Sequence, residues 1–321
     1  MRSFAFLTVV TAVAVLAPAH ARAQFETPEA APTKGVRYGE VTVHRYKAGV
    51  VIQAVGGPCR GLYITVPVPS DWPEQEVKVV DEDFSPGVRR PVRHRTTIPG
   101  VKQMLVNVPS VPAGRTVNVL VTYEVKRRPI LPPEDTSIFE IPKKLDRRML
   151  SHLATGIYIE PRSPQIKALA KEVTADKVTA WEKVEALYQA TIDNVEHRTT
   201  EVRKGAARSL REGYAGNNDL TALFVAMCRS IKVPARTVWV SGHCYAEFYL
   251  HDDEGNGHWI PCQVTGTTEF GHSSTLRTII QKGDCFRVPE KREQLPFVRE
   301  FVKGSGGRPR IKFVREALDA A

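Results

Sequence analysis

Between residues 36 and 125 apolar and polar side chains alternate in short runs, VTVHRY, GVVIQAV, LYITVPV, VKVV, MLVNV and TVNVLVTYEV. Turn-forming stretches separate them, such as Val68-Pro69-Ser70-Asp71-Trp72-Pro73 and Ser110-Val111-Pro112-Ala113-Gly114. A period of two places successive side chains on opposite faces of a strand, so these runs are half-buried strands joined by tight turns. That pattern predicts an antiparallel β-sandwich over residues 24–128. Nothing in it carries catalytic chemistry. Pro129, Pro132, Pro133, Pro142 and Pro161 follow, and a proline-rich stretch over 129–162 predicts a semi-rigid linker.

The period then changes. Ser163-Pro164 offers an N-cap and a first-turn proline, with Ile166, Leu169, Ala170 and Val173 on one face. Thr179 and Glu182 have capping-box spacing ahead of Trp181, Val184, Tyr188 and Val195. A short helix over 206–211 leads to a segment, 218–231, that is apolar on nearly every side, as a helix buried against a sheet would be. Residues 233–250 and 258–264 read as strands joined by a turn at 252–256. Helices followed by a sheet make 163–271 an α+β domain. Residues 272–321, with glycines at 304, 306 and 307, hold no chemical motif and are read as a C-terminal extension.

The N-terminus reads as a secretory signal over residues 1–23: Arg2, an apolar run from Phe4 to Pro18, then Ala21-Arg22-Ala23. The expectation is an exported protein, periplasmic or secreted, with no later run long enough to cross a bilayer as a helix. The chain of 321 residues has a formal charge of +10, concentrated at 89–95, 126–128, 143–148 and 308–312. Outside the cytoplasm nucleic acid is excluded as a natural partner; the clusters read first as a solvated basic face that aids solubility, and as partners anionic envelope polymers or lipid headgroups fit better than nucleic acid. Five cysteines leave at least one unpaired within the chain. His243, Cys244, His251, His258, Cys262 and His272 crowd together in sequence without the tight spacings of zinc sites. The expectation is no metal and no cofactor.

Residues 215–247 read AGNNDLTALFVAMCRSIKVPARTVWVSGHCYAE. Asp219, the apolar run 220–229, Pro234-Ala235-Arg236, His243, Tyr245 and Glu247 resemble the core of the bacterial transglutaminase-like superfamily. That resemblance implies a papain-like core with a Cys-His-Asp site. The nucleophile falls on Asn217, the base on His243 and the third catalytic group on Gln263. Only His243 is retained. A thiolate at a helix start attacks an amide carbonyl while the imidazole moves protons. An Asn side chain has no ionisable group and only donates and accepts hydrogen bonds. Its structural role would be a helix N-cap. Gln263 can still accept the imidazole N–H and orient the ring.

Cys228 lies about 16 Å further along the helix, and strand alternation turns Cys244 away from His243. Cys59 and Cys285 have no place assigned by the sequence. If the family's catalytic geometry sets His243 opposite Gln263, Cys244 faces Cys262 as a disulfide candidate. The reading is therefore a catalytically inactive transglutaminase-like protein binding a peptide or an amide-bearing envelope polymer in its former cleft. One alternative is an active cysteine-dependent amide hydrolase or acyltransferase with another nucleophile. The other is a structural envelope protein.

Overall fold

In a computed structural model the residues described are 35–318. The secretory signal expected at 1–23 lies outside them. Two four-stranded antiparallel sheets pack face to face. One has the order Pro309–Leu318, Thr42–Ala54, Thr116–Arg127, Gln75–Phe84, and the other Phe301–Gly306, Cys59–Val68, Lys102–Val111, Arg93–Arg95. The inner faces supply one core: Val50, Ile52, Val119, Val121 and Tyr123 from the first, Ile64, Val66, Met104 and Val106 from the second. The expected sandwich is present, but residues 42–127 supply only six of its strands.

The other two come from the C-terminal segment read as an extension. Pro309–Leu318 pairs with Thr42–Ala54 along its whole length, and Phe301–Gly306 pairs with Cys59–Val68. Upstream of them Ile279–Lys282 pairs with Ala235–Val240 in the other domain. Residues 279–318 thus supply a strand to each of three sheets. The partners of the last two strands lie more than two hundred residues away, a separation no local pattern reveals.

The second domain holds a five-stranded antiparallel sheet in the order Glu269–Phe270, Gly257–Gln263, His243–His251, Ala235–Val240, Ile279–Lys282. Against it lies the central helix Asn217–Ser230, whose residues 219 to 229 are all buried. Pro164–Val173, Ala180–Asn194 and Ala206–Glu212 pack around that helix. The capping box forms as expected, with Thr179 accepting from the Glu182 N–H and Glu182 accepting from the Thr179 N–H. The stretch 233–250 is not one strand. Ser241-Gly242 turns it back on itself with Gly242 at φ 72, so Val240 faces His243. A left-handed residue in a two-residue hairpin turn is where glycine is needed.

The proline-rich stretch 129–162, read as a semi-rigid linker, packs into the fold. Phe139 and Ile159 are buried in the core of the second domain, and the backbone of Ile130 bonds to Ser273 and that of Glu140 to His251. The two domains form one compact unit. Across their junction Lys282 Nζ donates at 2.6 Å to both Glu74 and Glu247, while Arg236 donates to Glu247 at 2.7 Å. Gln75 adds two bonds, accepting from Ile279 N at 2.7 Å and donating to Ile279 O at 2.9 Å. Burial alone would raise the Glu247 carboxyl, but Arg236 and Lys282 outweigh it and hold the group below its ordinary value.

Candidate active-site cleft

Asn217 is the first residue of the central helix, and Gly216, not Asn217, is its N-cap. The cap role expected for Asn217 is therefore not the one it has: its side chain leaves the helix axis for the sheet. Nδ2 donates to His243 Nδ1 at 3.1 Å and to the Cys244 carbonyl at 3.3 Å, while Thr265 donates its hydroxyl to Oδ1. The ring's other nitrogen, Nε2, lies 3.1 Å from Gln263 Oε1, and Gln263 Nε2 donates to Thr267 O at 2.5 Å. The three residues placed at the catalytic positions are thus brought together. Gln263 Oε1 can only accept, so the Nε2–H tautomer leaves Nδ1 free to accept from Asn217. Burial is the main cause that pushes the His243 pKa down, with Arg277 and His197 adding to it against the bond to Gln263. The imidazole is neutral near pH 7.

The hairpin register differs from the expected one by two residues. Cys262 faces Ala246, and Glu247 faces Pro261. His243 is therefore diagonal to Gln263, and the long glutamine arm spans the offset, as diagonal neighbours about 7–8 Å apart allow. The disulfide candidate fails for the same reason: Cys244 and Cys262 are not opposed, and both thiols are free.

Cys244 is closer to the site than strand alternation implied. Its Sγ lies 3.4 Å from Asn217 Nδ2, 3.1 Å from Asn218 Oδ1 and 3.7 Å from Thr221 Oγ1, beneath the helix start. The thiol is fully buried, and that burial pushes its pKa up to about 11. As packed it is an inert thiol, since the thiolate is the nucleophile. Cys59 sits in the sandwich core and Cys285 beside Asp284 and Thr155, with no contact to Asn217 or His243 among their hydrogen bonds.

A cleft of about 1440 Å³ opens over Asn217 and His243. One wall is the loop through Thr199, Thr200 and Arg203. The buried Asp219 carboxylate fixes that loop by accepting from Lys204 N at 2.9 Å and Gly205 N at 3.2 Å. Another wall belongs to the sandwich, where Thr65, Gln103 and Phe301 line the same cleft. Of the family-motif residues, Arg236 and Glu247 turn out to be a buried ion pair holding adjacent strands. Thr265 and Asn218, which complete the polar surroundings of Asn217 and Cys244, carry no sequence signal of their own. His258 bonds Asp252 Oδ2 at 2.9 Å and meets Phe139 edge-on.

Residues 167–264 match the family model of the transglutaminase-like superfamily. No curated protein matches the chain. Among solved structures it resembles a proposed cysteine protease from Cytophaga hutchinsonii, with 16% sequence identity and a TM-score of 0.55 over 89% of this chain and 94% of that one. At that identity the likeness shows a shared fold. A proposed protease from Parabacteroides distasonis matches at 10% identity and a TM-score of 0.27, over 75% of this chain and 72% of that one. That overlap carries no argument.

Proposed function

With residues 167–264 forming a transglutaminase-like domain, we propose that the protein is an exported binding protein. Its former active-site cleft holds an extended peptide, or an amide-bearing polymer of the cell envelope, without cleaving it. The observation that carries this reading is the hydrogen bond from Asn217 Nδ2 to His243 Nδ1 at 3.1 Å. The side chain in the nucleophile's place is an amide that cannot attack a carbonyl, and it occupies the imidazole nitrogen that would take up the nucleophile's proton. The chain Asn217, His243, Gln263 preserves the arrangement of a triad in neutral groups. The cleft above it remains open and is walled by both domains. Export rests on the leader-like sequence at 1–23.

The test is to titrate the purified protein with peptides bearing glutamine, lysine and envelope-type amide links, following binding and product formation together. Saturable binding without product, weakened by Thr199→Trp in the cleft wall, is the expected result. Turnover abolished by His243→Ala overturns it.

A second reading has one observation in its favour. The Cys244 thiol lies 3.4 Å from the Asn217 amide, so an amide hydrolase could use a nucleophile moved from helix to strand. Its burial and raised pKa weigh against that. Turnover lost on Cys244→Ala would favour it over the binding role.

A further inference from the structure

The four basic clusters differ in their surroundings. Arg127 is buried and donates to Glu74 O, Thr275 O and Arg277 O, while Lys126 and Arg128 pair with Glu76. Arg95 is held by Gln103 and Glu290, and Arg90 lies over the Phe84 ring. Arg308, Arg310 and Lys312 alternate along an edge strand of the sandwich and have no exposed large apolar residue among them.

The fourth cluster is different. Lys143, Lys144, Arg147 and Arg148 are all exposed, and the one carboxylate within the run, Asp146, is used as a helix cap for Met149 N at 2.7 Å. Among the described residues only Lys143 has an acidic partner, Glu140 at 3.9 Å, with both side chains largely in solvent. The short helix Arg147–Leu150 contains no buried residue and runs into a single 3-10 turn, Ser151–Leu153, of which the His152 ring alone is largely enclosed. Leu150 is 51% exposed and Ile157 45%. The base of the projection is held: Arg229 donates to Ala154 O at 2.6 Å, and the His152 ring meets Trp259 edge-on.

A segment anchored at its base, with four exposed cations and one weak acidic partner among the described residues, and with Leu150 and Ile157 exposed, matches the chemistry of an anionic bilayer surface. There the cations meet lipid phosphates and the apolar tips enter the headgroup boundary. We infer that residues 143–157 dock this protein on an anionic lipid surface. The two exposed apolar residues favour lipid over a soluble polyanion, which would engage the cations alone and leave Leu150 and Ile157 in water. The inference is independent of what the cleft binds.

The experiment is flotation of the full chain with phosphatidylcholine vesicles, with and without phosphatidylglycerol. Binding is expected only to the anionic vesicles and should weaken with salt. Reversal of Lys143, Lys144, Arg147 and Arg148 to Glu should abolish it. Leu150→Ser with Ile157→Ser should weaken it about tenfold. Reversal of Arg89, Arg93, Arg308 and Arg310 changes net charge equally and should leave most of the binding. All these positions are exposed, so folding is preserved and checked by thermal melting. No binding to anionic vesicles overturns the inference, and so does equal loss on reversing either set of four. Binding that ignores the serine substitutions and is matched by soluble polyphosphate also overturns it, assigning the patch to a polyanion.

Discussion

Asn217 and His243 face each other through the two positions a cysteine protease would use for its first proton transfer, the nucleophile's side chain and imidazole Nδ1, but here the helix residue offers an amide N–H that is shared and not given up. A neutral ring with its proton on Nε2 satisfies Asn217 and Gln263 together. Protonating Nδ1 would set two donors against one another, which agrees with the lowered His243 pKa, caused first by burial. The site is stable in the uncharged state that a resting triad does not need.

Restoring a thiol at the helix start is the direct measure of how much catalytic geometry survives. Because Cys244 Sγ lies 3.4 Å from the Asn217 amide, the substitution Asn217→Cys belongs in a Cys244→Ala background, where no neighbouring thiol can pair with it. The new thiol should titrate below the ordinary cysteine value of about 8.5, lowered by the helix start and the imidazole. Adding Gln263→Asp should promote the ion pair further by stabilising imidazolium. The pH dependence of iodoacetamide alkylation reads both variants, and an ordinary slow thiol in each would mean that the groups are no longer positioned for catalysis.

Trimming the same side chain tests its second contact. In the unaltered protein Cys244 should alkylate as slowly as the buried Cys228 and Cys262. Asn217→Ala removes the amide that covers its sulfur, so Cys244 should react at least about tenfold faster while the other two stay inert. Peptide mapping after a short pulse of alkylating agent decides it. A Cys244 still matching Cys228 would show that Asn218 and Thr221 shield the thiol without help from Asn217.

Much of what depends on nearby residues was legible in the sequence. The Thr179 and Glu182 capping box, the all-round apolar helix and the positions Asn217, His243 and Gln263 follow from local spacing or from family resemblance to a contiguous segment. What failed required knowing a partner far away, a register, or a tight turn inside an apolar run. The alternation in residues 309–318 gives no sign that it faces Thr42–Ala54. The Ser241-Gly242 turn was hidden inside an apolar run, and its neglect turned a hairpin into one long strand. Cys244 was misjudged because alternation fixes a face of the sheet but not what packs at the strand's end, where the helix start reaches across both faces.

The quartet Glu74, Lys282, Glu247 and Arg236 balances two cations against two carboxylates at the domain junction, each with a side chain no more than 10% exposed. Lys282→Met leaves Glu74 without its ion pair and halves the neutralisation of Glu247. Breaking a buried pair from one side should cost about 3–5 kcal/mol. Urea denaturation measures it. Lys282→Met with Glu74→Gln should recover part of the loss, because the orphaned charge is gone. A single variant as stable as the parent would mean that water already screens the junction.

Acid sensitivity should be traceable to His152. Its pKa is pushed down to about 4, first by burial and then by Arg236, with Arg229 and Arg148 also opposing a positive charge and only Asp284 favouring one. Above about 6.5 the ring is neutral in both folded and unfolded chains, and it contributes no pH dependence. Between 6.5 and about 4 the unfolded chain takes up a proton that the folded chain refuses, so stability falls through that window and this contribution levels off below it. The loss is on the order of 3 kcal/mol for this one group. His44, His94 and His243 are shifted in the same direction, each mainly by burial, so the parent's curve sums several groups. His152→Asn separates its share: its urea midpoint should fall less steeply between pH 6.5 and 4.5 than the parent's. Parallel curves for the two proteins would show that His152 takes its proton in the folded state as readily as in the unfolded one.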